Sequence, residues 1–151
     1  MSREKPKPTR KAAALGALTL AVSSTVLTGC SQSLDASVCK DGTYEGQSQP
    51  APDGQHALIK FTVKGQKVTT AKFTVIDEHG RPHDGEYGKT TTGHTDGKFY
   101  QRAQRAVGAE PQYAQKFVET SDADKVEVIA GASISHGLFQ SAVEDALGKC
   151  G

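Results

Sequence analysis

The chain has 151 residues and a mass of 15.9 kDa, the size of one domain with little room for a second. Hydrophobic residues make up 36% and charged residues 23%, so the composition is neither that of a disordered chain nor that of a coiled coil. The formal net charge of +1 combines a basic start, +4 over residues 1–11, with a body of −3, and an acidic body argues against non-specific nucleic-acid binding.

The first 29 residues have the order of a secretory signal. A basic start is followed by an uncharged run, Ala12–Leu27, and the run ends in small residues. This run is shorter than the ~20 residues that a membrane-spanning helix needs. The ending Leu27-Thr28-Gly29-Cys30 resembles a bacterial lipobox, which implies cleavage after residue 29 and lipid on Cys30. An ordinary cleaved signal and a retained membrane helix are the alternatives.

A lipidated Cys30 would hold the mature chain at the cell membrane, on its extracytoplasmic face. We therefore expect three regions: a lipoprotein signal over 1–29, a lipidated cysteine and tether over 30–40, and a domain over 41–151. Cys39 and Cys150 bracket nearly the whole domain. In an oxidising compartment they are predicted to form a disulfide, with two free thiols as the alternative.

The first half of the domain is predicted to be strand-rich. Asp41–Gln47 is typical of a first strand, and the two prolines and the glycine of Gln49–Gly54 indicate a loop. Apolar and polar residues alternate through Leu58–Lys64 and again through Val68–Ile76. With Gly65-Gln66 between them, these two runs predict an antiparallel hairpin with one buried face.

The second half is predicted to be a long loop followed mainly by helices. Glu78–Gly97 has five Gly, three His and almost no apolar residue, which is typical of a functional or mobile loop. The periodicity then predicts, in chain order, a helix over Lys98–Val107 capped by Asp96, a helix over Glu110–Val118, a strand over Val126–Ile129 and a helix over His136–Leu147. The predicted fold class is α+β, a small single domain with a mainly antiparallel sheet of four or five strands and about three helices.

One segment, Glu127–Ser135, carries the clearest chemical signal. Its small residues Ala130–Ala132 favour close approach of the backbone, and Ser133 and Ser135 place hydroxyls beside the free N–H groups of the following helix. Such a helix start suits an anion such as a phosphate. The simpler alternative is that one of the two serines only caps the helix.

The order of a strand, Gly-Ala-Ser-x-Ser and a helix near the carboxyl end resembles the FMN-binding domain family. Its members include flavin-carrying subunits of sodium-pumping NADH:quinone oxidoreductases and lipoproteins of extracellular electron transfer. The resemblance extends over Asp41–Leu147 and includes the opening Asp-Gly-Thr-Tyr-Glu-Gly strand. In the family, the hydroxyl at the position of Ser133 is often esterified to the FMN phosphate by a separate magnesium-dependent flavin transferase.

Three positions depart from the family pattern, because Ser133, Glu127 and Ala130 stand where Thr, Asp and Ser or Thr are usual. Covalent FMN, reversible FMN and no flavin therefore all stay open. The resemblance implies Ser133 as the attachment residue, and the candidate cofactor-binding residues around it are Ala130, Gly131, Ala132, Ile134 and Ser135. An FMN site also needs a phosphate donor, for which His136 is a candidate, and a wall for the ring, for which Tyr44 is a candidate. Tyr87, Leu138 and the 78–97 loop are further candidates for the wall.

We expect an electron carrier rather than an enzyme, taking electrons from a membrane quinol or dehydrogenase partner. A flavin-free surface lipoprotein with the same fold is the alternative. A metal- or haem-handling lipoprotein based on His79, His83 and His94 is a third reading, but their irregular spacing matches no metal motif. A hydrolase is not expected, because Ser133 has no evident partner acid.

Overall fold

The computed structural model describes residues 32–95 and 97–151. The predicted signal, the lipidation site Cys30 and the helix cap Asp96 lie outside these described residues. Within the two described ranges, no helix combines the length and the hydropathy needed to span a membrane.

Three antiparallel strands form the sheet, in the order β1 (Gly42–Gln47), β2 (His56–Lys64) and β3 (Lys67–Ile76). The predicted hairpin is present, and its turn is Gly65-Gln66, both at positive φ (57° and 63°). A two-residue turn of this kind matches the twist of the strands that it joins. The predicted alternation buries one face of the hairpin, with its largest buried side chains at Ile59, Phe61, Val63, Phe73 and Val75.

Two α-helices cover that buried face of the sheet. α1 (Gly97–Thr120) packs mainly against β3, and α2 (Ser133–Leu147) packs against β1 and β2. Short 3-10 helices lie at Ala36–Val38 and Ala123–Lys125. The predicted α+β class with an antiparallel sheet is confirmed, with three strands and two α-helices in the described residues instead of four or five strands and three helices.

The two helices predicted over Lys98–Val107 and Glu110–Val118 are one continuous helix, α1. Gly108 and Pro111 are local breakers, and Pro111 removes one backbone hydrogen bond. One turn away, Gln112 Nε2 donates to the Gly108 carbonyl at 2.8 Å. The apolar stripe continues through both breakers to the fully buried Tyr113 and Phe117, so packing of this face outweighs the local preference.

The predicted strand over Val126–Ile129 is also corrected, because this segment joins no sheet in the described structure. Its backbone groups bond elsewhere: the Val126 carbonyl lies 2.6 Å from His136 Nε2, and the Ile129 N–H donates to the Tyr113 hydroxyl at 3.0 Å. These contacts replace the partners that a neighbouring strand would supply.

The folded unit begins before residue 41, so most of the predicted 30–40 tether is part of it. Leu34 and Ala36 are buried, and the Ala36 N–H donates to the Ser121 carbonyl at 2.8 Å. The predicted disulfide between Cys39 and Cys150 is present. It joins this amino-terminal segment to the chain just after α2.

Gly46 of β1 fixes how closely α2 approaches the sheet. A Cβ built at Gly46 would lie 2.1 Å from the Ala142 carbonyl oxygen and 2.7 Å from the Ala146 nitrogen. Gly46→Ala is therefore expected to lower the free energy of unfolding by about 3 kcal/mol, measured by urea denaturation. Gly137→Ala is the matched control, because Gly137 has no neighbour within 4 Å of its added Cβ and Ala favours a helix by about 1 kcal/mol. Equal stability of the Gly46 variant and the wild type would contradict this packing.

Candidate functional site

The Ala130–Ser135 segment turns directly into α2, which begins at Ser133 rather than at the predicted His136. Ala132 is the N-cap residue, and no side chain caps the helix. Neither serine is therefore the cap, which removes the simpler explanation for their presence. Within the described residues, the amides of Ser133, Ile134 and Ser135 have no hydrogen-bond acceptor. These three N–H groups are free to bind an anion.

The turn before α2 is held by a glycine and a buried tyrosine. Gly131 has φ of +81°, a conformation that L side chains rarely adopt. The hydroxyl of the fully buried Tyr113 donates to the Ala132 carbonyl and accepts from the Ile129 N–H, each at 3.0 Å. Burial raises the pKa of Tyr113, so the hydroxyl keeps the proton that it donates.

Tyr113→Phe is expected to lower the free energy of unfolding by about 1–3 kcal/mol, because it leaves two backbone groups of the turn without their partner. Amide hydrogen exchange should also become faster at Ile129. The matched control is Tyr100→Phe, whose hydroxyl makes one exposed bond to the Gly85 carbonyl. Equal losses in the two variants would show that the buried hydroxyl has no special role in the turn.

A cavity of about 670 Å³ opens beside this turn. The volume is within the range of small-molecule sites, roughly 300–1,000 Å³. Its walls come from the Ala130–Ser135 turn, the first half of α1, the loop before β2 and the loop after β3. The residues outside the turn are Phe99, Arg102, Ala103, Arg105 and Ala106 from α1, Asp53 and Gln55 from the loop before β2, and Tyr87 from the loop after β3.

Tyr87 is positioned by bonds between its loop and α1. Gln104 Nε2 donates to the Tyr87 carbonyl at 2.9 Å and to the Asp84 carbonyl at 3.0 Å. Gly88 packs so closely on α1 that a Cβ would lie 2.4 Å from that of Ala103. The Tyr87 hydroxyl accepts from Gln55 Nε2 at 2.8 Å, and burial raises the pKa of Tyr87. These contacts therefore hold the 78–97 loop in place where Tyr87 lines the cavity.

Two arginines of α1, Arg102 and Arg105, give the cavity its positive charge. The Arg105 side chain lies beside the turn, since a Cβ built on Gly131 would be 3.7 Å from Arg105 Nε. Among residues 32–95 and 97–151, Arg81 is the one arginine with an ion-pair partner. Both cavity guanidinium groups are therefore available, and arginine binds phosphate well because its planar donors match the oxygens.

The predicted site residues divide into two groups. The cavity is lined by Ala130, Gly131, Ala132, Ser133, Ile134 and Ser135. Ser133 is exposed at the start of α2, whereas Ser135 is buried. The candidates Tyr87 and Ile134 therefore line the same cavity.

Three other candidates lie away from the cavity and are corrected. The Tyr44 ring packs near Phe61, with 5.7 Å between centroids, and its hydroxyl donates to the Lys40 carbonyl at 2.8 Å. His136 turns its ring to the Val126 carbonyl, so it is not placed as a phosphate donor. Leu138 is buried in the core.

The histidines of the 78–97 loop do not converge. Within the part of the chain that the structure describes, no group of three or more His, Cys, Asp and Glu side chains is arranged to hold a metal ion. His83 is buried against Tyr87 and Glu110, whereas His79 and His94 are exposed.

Sequence reasoning missed the contribution of α1 to the site. Phe99, Arg102, Ala103 and Ala106 follow the i, i+3, i+4, i+7 spacing of one helix face, and this face lines the cavity. A helix face that mixes small, aromatic and arginine residues was the available signal. Because Phe99, Ala103 and Ala106 are apolar, such a face is equally typical of a helix that packs on a core.

Comparisons with known proteins support the fold and go no further. No family model and no curated protein matches the chain. A crystal structure of the CPE2226 protein from Clostridium perfringens matches with a TM-score of 0.58 at 22% identity, covering 74% of this chain and 88% of that one. A solution structure of a protein from Clostridium thermocellum is more distant, with a TM-score of 0.41 at 19% identity over 73% of this chain and 91% of that one. The first likeness shows a shared fold.

Proposed function

We propose that this protein is an FMN-binding electron carrier, anchored through lipid on Cys30 to the extracytoplasmic face of the cell membrane. The observation that carries the proposal is the composition of one cavity. Free amides and two arginines line the same hollow as Tyr87, Phe99 and Ile134. Flavin mononucleotide needs this combination, because its phosphate binds at an anion site and its ring packs against an apolar wall.

The start of α2 and the two arginines fit the FMN phosphate. Amides of Ser133, Ile134 and Ser135 would donate to phosphate oxygens, and the partial positive charge of the helix start adds to their effect. Arg102 and Arg105 would supply charge-assisted donors from α1. This donor set is selective for a doubly charged group over a neutral one.

The aromatic and aliphatic side chains fit the isoalloxazine ring. Phe99 is 58% and Ile134 is 61% exposed, high values for large apolar residues, and both line the cavity. A bound ring would cover them and recover part of the free energy lost by their exposure. Asp53 and Gln55 also line the cavity and offer polar groups that would orient the edge of the ring.

Ser133 fits either covalent or reversible attachment. Its exposed hydroxyl at the first position of α2 is accessible to a separate flavin transferase. In that reaction, Ser133 Oγ would bond to the phosphorus of the flavin donor while the bond from that phosphorus to its leaving phosphate breaks, and the hydroxyl proton would pass to solvent. The cofactor would then stay with a protein that faces the bulk medium.

When bound, FMN supplies one- and two-electron chemistry. The chain's own part is to bind the phosphate, orient the ring and leave one side open. Electrons would come from a membrane quinol or dehydrogenase partner and leave to a downstream or external acceptor. The lipid anchor would keep the site near the membrane donor, since two or three acyl chains hold firmly.

The test is production of the full chain with a flavin transferase, followed by acid precipitation. We expect absorbance near ~370 and ~450 nm, values typical of flavins, and a protein mass raised by one FMN phosphoester. Ser133→Ala should lose the acid-stable flavin but still bind added FMN, whereas Ser133→Thr should keep the acid-stable flavin. Colourless protein, both with the transferase and with free FMN, would contradict the proposal and favour the flavin-free lipoprotein.

A further inference from the structure

A buried ionisable pair lies behind the cavity wall, and several of its polar atoms take no part in the hydrogen bonds of the fold. The side chain of His83 is 2% exposed and that of Glu110 is 6% exposed. Both ring nitrogens of His83 and Oε1 of Glu110 are buried without a hydrogen-bond partner among the described residues. Most buried polar atoms in proteins have a partner, so three orphaned atoms at one place call for an explanation.

The two side chains face each other from different elements. His83 Nδ1 lies 3.3 Å from Glu110 Oε1, close enough for an ion pair but not aligned as a hydrogen bond. The backbone of Val75 holds both residues, because its carbonyl accepts from the His83 N–H at 2.9 Å and its N–H donates to Glu110 Oε2 at 3.1 Å. The site is therefore rigid, and its charge depends on whether it holds an added proton.

One aromatic layer separates this pair from the cavity. The rings of His83 and Tyr87 are stacked, with 3.5 Å between centroids and 18° between planes, and Tyr87 lines the cavity. Charge on the imidazole would therefore act on a group in the cavity over a short path through protein. Solvent screens such a path poorly.

Charged groups of both signs lie around the His83–Glu110 pair. Lys72 from β3 lines a groove with His83 and Glu110, and it opposes proton uptake. Asp77 and Asp53 lie on the Tyr87 side and favour proton uptake, although Arg81 pairs with Asp77 at 2.8 Å. Glu110 from α1 lies against the imidazole and adds a negative group in direct contact with it.

We infer that the His83–Glu110 pair takes up one proton when flavin in the cavity is reduced. The inference rests on the proposed FMN site. Two electrons arrive from the quinol or dehydrogenase partner, one proton from solvent goes to the flavin ring, and a second proton from solvent binds His83. The new N–H bond forms at the ring nitrogen that lacks a hydrogen in the neutral imidazole. The imidazolium then offsets the negative charge gained in the cavity and makes reduction easier.

The test is the midpoint potential of the FMN-loaded full chain between pH 5 and 8, titrated with dithionite, for wild type and His83→Gln. One proton per electron pair shifts the potential by about 30 mV per pH unit. We expect about 60 mV per pH unit for the wild type where the pair titrates, and about 30 mV per pH unit for His83→Gln. His79→Gln, which changes an exposed histidine of the same loop, should keep the wild-type slope. Equal slopes in wild type and His83→Gln would overturn the inference.

A second measurement uses the wild type alone, so it does not depend on the variant folding. NMR titration of the His83 ring should give a higher pKa in the reduced than in the oxidised FMN-loaded protein, and an unchanged pKa would overturn the inference. Absence of flavin absorbance after FMN addition would instead overturn the proposed function as well. The two failures are therefore distinguishable.

Discussion

Replacing both Cys39 and Cys150 with serine is expected to lower the free energy of unfolding by about 4 kcal/mol. The two residues are 111 positions apart, so the disulfide closes almost the whole domain into one loop. For a loop of about 100 residues, the chain-entropy model gives roughly 4.7 kcal/mol, and removal of native disulfides from small domains typically costs about 2–5 kcal/mol. A domain of this size has a limited core, so the loss is a large part of its stability.

The expected loss can be measured by urea denaturation of the double variant and of the oxidised wild type. Wild type unfolded in the presence of a thiol reductant should behave like the variant, which separates loss of the cross-link from changes in side-chain packing. A difference below about 1 kcal/mol between oxidised wild type and the variant would contradict a disulfide that stabilises the domain.

Replacing both Arg102 and Arg105 with alanine is expected to weaken FMN binding at least 100-fold. Each charged hydrogen bond contributes about 1.5–3 kcal/mol, and a factor of ten in affinity corresponds to about 1.4 kcal/mol. The effect should depend on the phosphate. Riboflavin, which has the ring without the phosphate, should bind wild type and variant with similar affinity.

The matched control removes the same charge at a distant place. Lys64 and Lys67 are exposed beside the β2–β3 turn, and neither lines the cavity. Their replacement by alanine should change FMN affinity by less than about threefold at moderate salt, because charges beyond a Debye length are screened. Fluorescence titration of the flavin measures all three proteins. An equal loss in both double variants would mean that only net charge attracts FMN.

The hairpin could be predicted because its signals are local. Ile59, Phe61 and Val63 alternate with polar residues, and Gly65-Gln66 adopts the turn that such a hairpin needs. Period-two alternation and turn chemistry are properties of a few neighbouring residues. Helical periodicity is also local and predicts α2, whose residues Phe139, Ala142, Val143 and Ala146 are buried.

The continuity of α1 could not be predicted, because its packing against residues distant in sequence outweighs the local helix breakers. Gly108 and Pro111 read as helix breakers, yet the burial of Tyr113 and Phe117 holds the helix together. The segment Val126–Ile129 has the composition of a strand, but side chains of α1 and α2 supply its hydrogen bonds. Tertiary contacts decide both cases, and no short sequence window contains them.

The site could be predicted in part for the same reason. Gly131 and Ser133 are recognisable because a glycine-containing turn before a helix has a local sequence pattern. Arg102 and Arg105 precede the turn by more than twenty residues in the chain, so their approach to it depends on how α1 packs. Tyr44 is a candidate on residue type alone, because a flavin ring needs an aromatic wall, and its contacts with Phe61 and Lys40 place it elsewhere.

The most direct test of the proposed site is NMR of the isotope-labelled protein during addition of FMN. Chemical-shift changes are expected to be largest at the amides of Gly131, Ser133 and Ser135, with a second group at Tyr87. Inorganic phosphate should move the first group and leave the second unchanged. Saturable changes that map outside these residues, or no change at millimolar FMN, would contradict a flavin site in this cavity.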